Sequence, residues 1–316
     1  MATLHKAKDN SVKAILSEHE LFAEFLKSFL PLEILSDVSS SDIEDVTERL
    51  ISLISEQKDG DTIKRVNLKG NTPLFVITIV EHESKVNFRA PFKMLLYIAL
   101  ILDAYEKEVN KDTPVTHTKN FKYPPIIPII FYDGDDEWTA EMNFLHRTEM
   151  SDVFEKYIPK FEYELIKLKK YSFEDLAKFN NIVSLFMMID KLKSSEAFYE
   201  LGSLPKEQLD AINIPRHLKE LLVKVFTVLL TRIDVPQDEI KNFMEKIDER
   251  GVSEMIAAGV YSVQETRRET REEVTREYEP RLSAAIKALI DTGRTISEIA
   301  ALMNMSENDV RGLVPN

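Results

Sequence analysis

"DTIKRVNLKGNTPLFVITIVEHES", residues Asp61 to Ser84, decides the fold of this chain. Its first part, "TIKRVNLK" at 62–69, alternates apolar with polar residues, the period of a strand. "GNTP" at 70–73 predicts a turn. "LFVITIV" at 74–80 is a continuous apolar run rich in β-branched residues, the pattern of a strand covered on both faces. That run ends in Glu81 and Glu83 with His82 between them. Successive side chains on a strand alternate, so positions 81 and 83 share a face and His82 takes the other. Two neighbouring acids at the mouth of a core strand repel each other and invite a cation.

A third acid comes from across the turn. In an antiparallel hairpin the start of the first strand lies near the end of the second, which brings Asp61 toward Glu81. Three carboxylates at one end of a sheet make a hard-oxygen site suited to Mg²⁺ or Mn²⁺, ions that keep several waters and accept phosphate oxygens. The same acids also read as a solvated strand end, and Asp59 in "KDGD" is a rival ligand, expected to face solvent from a turn. His82 reads as a structural residue on the opposite face.

Outward from the hairpin, apolar residues at helical spacing from Val12 to Phe29 predict one opening helix ending near Pro31. "PFKMLLYIALILDAYEKEV" at 91–109 predicts a second helix, with Pro91 in its first turn. "YPPIIPIIFYDGDDEW" at 123–138 predicts a buried strand leaving through a solvated acidic turn. Helix, strands, helix, strand is the order of an α/β core with a small mixed sheet. From 171 to 249 the patterns are helical. "SVQETRRETREEVTREYEPR" at 262–281 is charged on nearly every face, a long solvated helix interrupted by Pro280 and a candidate for self-association into a homo-oligomer. Thr295 and Ser306 read as N-caps of two short helices, each with an acid three residues on, in the outline of a helix-turn-helix.

Composition narrows the function. The formal charge of −13 argues against a protein that coats nucleic acid nonspecifically, but leaves room for one that engages a phosphodiester through a metal. With no cysteine, disulfides and thiolate metal sites are excluded, and a cytoplasmic location is expected. No apolar run reaches the ~20 residues of a membrane span, and the N-terminus lacks a signal-peptide pattern. Among the eight glycines there is no G-x-G-x-x-G fingerprint, so no nucleotide cofactor is expected.

The ordered set of Asp61, the turn, "VITIVEHES", "PFKMLLYI", "YPPIIPIIFYDG" and Trp138, after the opening "KDNSVKAILSEHELFAEFL", resembles the recombination-promoting nucleases, the PD-(D/E)XK nuclease family transposases called YhgA-like. The likeness covers about residues 5–165. It implies a PD-(D/E)XK nuclease-like core with a small mixed sheet flanked by helices, a Mg²⁺-dependent DNA endonuclease of low sequence preference, and a role in recombination or mobile elements. Asp61 and Glu81 would take the metal, and Asp9 on the opening helix matches an acidic position that could reach it through water. Glu83 departs from the pattern, standing where Lys or Gln is usual. It could serve as general base or added ligand, with Lys85 supplying the missing cation. The alternative is a catalytically degenerate DNA-associated or self-assembling protein that keeps the fold. Under this reading residues 1–170 form the nuclease-like domain, 171–255 a helical region, 256–285 the charged helix and 286–316 the helix-turn-helix-like tail.

Overall fold

The computed structural model describes residues 2–47, 61–70, 72–81, 86–134 and 136–314; the side chains of 2–9, 80–81, 244, 247–250 and 274 are not described. The predicted hairpin forms, but with a shorter turn: Thr72 and Pro73, expected in the turn, pair as the start of the second strand. Strand β2 (Thr62–Leu68) pairs antiparallel with β3 (Thr72–Glu81). The turn begins at Lys69, with Gly70 at φ +83°, a left-handed conformation that glycine adopts without strain. A three-residue strand β1 (Ile43–Asp45) lies on the far side of β2, and β4 (Ile126–Tyr132) and β5 (Glu164–Lys167) add in parallel beyond β3. The result is a five-stranded mixed sheet in the order β1-β2-β3-β4-β5. Because β3 and β4 are parallel, the chain must cross over between them, and helix α3 (Ala90–Val109) makes that crossing.

The two faces of β2 and β3 are covered by different helices, which explains the unbroken apolar run. Ile63, Phe75, Ile77 and Ile79 pack with Met94, Tyr97 and Ile101 of α3. Helices α1 (Ala2–Ser17) and α2 (His19–Phe29) cover the other face, where Lys64 is fully buried. A buried ammonium needs partners. Lys64 finds Asp45 Oδ2 at 2.6 Å on the strand directly opposite, the Ser17 carbonyl at 3.1 Å and the Phe22 ring at 5.9 Å.

That same contact accompanies a correction. The opening segment is two helices, not one, with Glu18 in extended conformation between them. Ending α1 at Ser17 frees a carbonyl that would otherwise be bonded within the helix, and the Lys64 ammonium takes it.

Beyond the sheet, Trp138 donates its indole N–H to Tyr163 Oη at 2.9 Å, and Tyr163 donates onward to the Glu141 carbonyl at 2.9 Å. Trp138 is therefore a core residue. Helices α4 (Ile182–Lys191) and α5 (Lys219–Thr231) pack onto α2 and α1.

The chain divides into two compact units, Met1–Ile256 and Ala257–Asn316. Helix α6 (Val252–Asp291) carries the charged segment and passes through Pro280 without ending, contrary to the predicted interruption. Proline 280 removes one N–H and so strands the carbonyl four residues back, but this stretch is exposed and water can take that carbonyl. Ion pairs at i,i+3 and i,i+4, such as Arg268–Glu265 at 2.9 Å and Arg281–Glu277 at 3.2 Å, lie along the helix.

In the second unit, helices α7 (Ile296–Met303) and α8 (Glu307–Leu313) close on α6 around Ile286, Ile299, Ala300 and Val310. The caps are those the sequence announces. Thr295 and Glu298 form a reciprocal capping box, and Ser306 Oγ accepts from the Asp309 amide at 3.2 Å. No described helix is long and apolar enough to cross a membrane.

Candidate active site

Asp61 immediately precedes β2 and is 2% exposed. Continuing the β2–β3 register one step past Thr62↔Thr78 sets it opposite Ile79, on the face covered by α3. The side chain confirms that face. Its Oδ2 accepts a hydrogen bond from the Tyr97 hydroxyl and lies 2.6 Å from the Lys93 ammonium. Lys93 and Tyr97 are four residues apart on α3, so one strip of the helix delivers both. The ammonium stands 5.6 Å from the Tyr97 ring centroid.

Among the described residues both charged groups retain unused bonding capacity: Asp61 Oδ1 is buried and has no hydrogen-bond partner, and the Lys93 Nζ contact is an ion pair without the alignment of a directed hydrogen bond. An unsatisfied buried polar atom costs about 1–3 kcal/mol, and more when charged. An anionic oxygen with two free lone pairs and no donor suits a hard divalent cation, so the chemistry of Asp61 fits the predicted metal. Among the described residues no group of three or more His, Asp or Glu converges on such a site.

The remaining predicted residues fall in different places. Glu81 is the last residue of β3, paired with Tyr132 of β4. The register separates it from the position opposite Asp61 by two residues, about 7 Å along a strand; it is a diagonal neighbour, not the facing one. Asp9 lies on α1. Glu83 and Lys85, with His82 and the rival Asp59, lie outside the described residues. Lys93 and Tyr97 were not singled out from sequence. The available signal was their i,i+4 spacing on the one helix that follows the acidic strand end.

The exposed side chains of α8 include an amide, Asn308, and a cation, Arg311, of the kinds that read base edges, together with the acids Glu307 and Asp309, and Arg311 lies 3.5 Å from Glu307.

A mixed sheet between helices, with a buried carboxylate where a hairpin strand begins, defines an α/β protein with a candidate metal-ligating centre. Residues 6–214 match the family model described as "Putative transposase, YhgA-like", and the chain belongs to that family. No curated protein and no solved structure matches the chain.

Proposed function

We propose that this protein is a metal-dependent DNA endonuclease of the PD-(D/E)XK type that acts for a mobile element. The observation that carries the reading is a buried carboxylate, Asp61, whose Oδ1 has no hydrogen-bond partner among the described residues and whose Oδ2 lies 2.6 Å from the Lys93 ammonium, at the sheet end where β3 delivers Glu81. Three antiparallel strands, a crossover helix and a parallel fourth strand are in keeping with that fold. Family membership supports DNA as the substrate.

Asp61 and Glu81 would hold Mg²⁺ or Mn²⁺, with Glu83 and Asp9 as further candidate ligands or water-mediated partners. Such an ion, when bound, lowers the pKa of a ligated water and neutralises phosphate charge. The protein's own residues do the rest. Tyr97 fixes the rotamer of Asp61 through Oδ2 and leaves Oδ1 to ligate. Lys93 places a positive charge beside that carboxylate, where Glu83 cannot, and its ammonium can turn to a phosphate oxygen. This assigns to Lys93 the role that the sequence had suggested for Lys85.

Incubation of the pure protein with supercoiled plasmid and Mg²⁺ or Mn²⁺, against EDTA, tests the reading. Nicked and linear DNA should appear only with metal and should vanish in Asp61→Ala and Glu81→Ala. Cleavage that persists in both variants removes the site. The rival reading, a DNA-associated protein that no longer cuts, is favoured by the glutamate at position 83. Metal-independent DNA binding without cleavage under any metal would select it.

A further inference from the structure

The turn into α3 and the first turns of that helix expose an unusual set of side chains beside the candidate site. Phe88 is 51% exposed, Phe92 48% and Leu96 39%. The Arg89 guanidinium stands 6.0 Å from the Phe92 ring centroid. Phe92 is the chain neighbour of Lys93, whose ammonium lies 2.6 Å from Asp61, so one helix carries both the exposed rings and a residue of the candidate site. A single exposed apolar residue means little; two phenylalanines within five residues, one under a guanidinium, need an occupant.

Charge indicates which. The chain as a whole is acidic at −13, yet the first turn of α3 contains no acid. Arg89 stands at the N-cap, the positive end of a 20-residue helix, against the Phe92 ring. Flat rings beside a cation at a helix N-terminus match a partner with flat apolar faces on a polyanionic backbone. An unpaired stretch of nucleic acid has both, whereas the bases of a duplex are stacked on one another and unavailable.

We propose that Phe88 and Phe92, with Arg89, form a stacking platform for unpaired bases, so that the substrate is DNA containing single-stranded nucleotides at the point of cutting. This rests on the nuclease reading for its purpose, but the platform is testable without cleavage. Binding is measured in EDTA by fluorescence anisotropy, using a thymidine oligonucleotide, an abasic phosphodiester of equal length, and a duplex.

Wild type should bind the thymidine strand about tenfold more tightly than the abasic one, since stacking is worth about 1–3 kcal/mol per base and 1.4 kcal/mol is a factor of ten. It should also bind the thymidine strand more tightly than the duplex. Phe92→Ala should remove most of the preference for bases and leave abasic binding unchanged. Phe92→Leu keeps apolar area without a flat face and should lose the preference too. Circular dichroism confirms that each variant is folded.

Equal affinity for thymidine and abasic strands overturns the platform, as does a base preference that survives in Phe92→Ala and Phe88→Ala. A change of oligomeric state in Phe92→Ala, seen by sedimentation with oligonucleotide binding intact, would reassign the surface to a second copy of the chain. Base-dependent binding by a protein that cuts nothing would keep the platform and remove the nuclease.

Discussion

Replacing Lys93 by methionine tests the electrostatics of the site most severely, because methionine fills nearly the same space without the charge. Asp61 is 1% exposed at its side chain and Lys93 15%, so water does little to screen the pair. At 2.6 Å and an effective dielectric constant near 20, the Coulomb attraction is about 6 kcal/mol. Part of that offsets the desolvation of the ammonium, which the variant no longer incurs. Among the described residues, what remains is a buried carboxylate held by Tyr97, and breaking a buried pair in this way costs about 3–5 kcal/mol. For a unit of this size a kcal/mol moves Tm by about 2–4 °C, so the loss should be about 6–20 °C. Urea unfolding, followed through the chain's single tryptophan at 138, gives the free energy. The double variant Asp61→Asn with Lys93→Met should recover at least about 2 kcal/mol of the loss, the non-additivity expected of direct partners. A Lys93→Met change within about 0.5 kcal/mol of wild type, the size of an ordinary surface substitution, would refute the reasoning. So would strict additivity in the double variant.

Other consequences follow from the same structure. Tyr163→Phe strands the Trp138 indole N–H and should destabilise by about 1–3 kcal/mol, with a shift in tryptophan emission; in wild type, burial pushes the Tyr163 phenol up to about 12, so the variant should lose a group that resists alkaline titration of tyrosine absorbance. Burial raises the Asp45 carboxyl, but hydrogen bonds from Lys64 and Thr47 outweigh it and hold the group below its usual range. A depressed carboxyl contributes stability above its unfolded pKa of about 3.9 and loses it as pH falls through the folded value. Urea midpoints should therefore drop on acidification below about pH 4, and Asp45→Asn should flatten that drop. Thr295→Ala removes the capping box of α7 and should speed amide exchange across Ile296–Met303 about fivefold, equivalent to about 1 kcal/mol.

Much of this architecture is legible in residues 61–109, because the pattern there is long and each local signal agrees with its neighbours. The Thr62–Leu68 strand, the turn at Gly70 and the helix from Ala90 to Val109 all follow from periodicity and turn chemistry. Strands β1 and β5 escape notice because three or four residues carry too little pattern; β1 is held by a cross-strand contact, Asp45 to Lys64, that only the fold creates. At the break before α2 the Ser17 carbonyl meets the same distant lysine, a contact no local window of sequence contains. The passage of α6 through Pro280 reflects solvent exposure, which a local breaker rule ignores.

The site is legible only in part. Asp61 is readable because an acid that opens a hairpin strand is an anomaly. Its offset from Glu81 is not, because the turn sets the register, and the observed pairing of Leu68 with Thr72 places Asp61 opposite position 79, two residues short of Glu81. Lys93 and Tyr97 hide within an ordinary amphipathic helix. Their significance lies in what they face, and no window of sequence around them contains Asp61.

The central claim is that Asp61 offers a free anionic oxygen to a divalent metal. Electron paramagnetic resonance of Mn²⁺ titrated into the protein without DNA measures this directly, since bound ion loses the sharp signal of the free ion. Saturable binding by wild type, lost in Asp61→Asn while circular dichroism stays unchanged, is the predicted result. Undiminished Mn²⁺ binding by a folded Asp61→Asn protein would contradict the account.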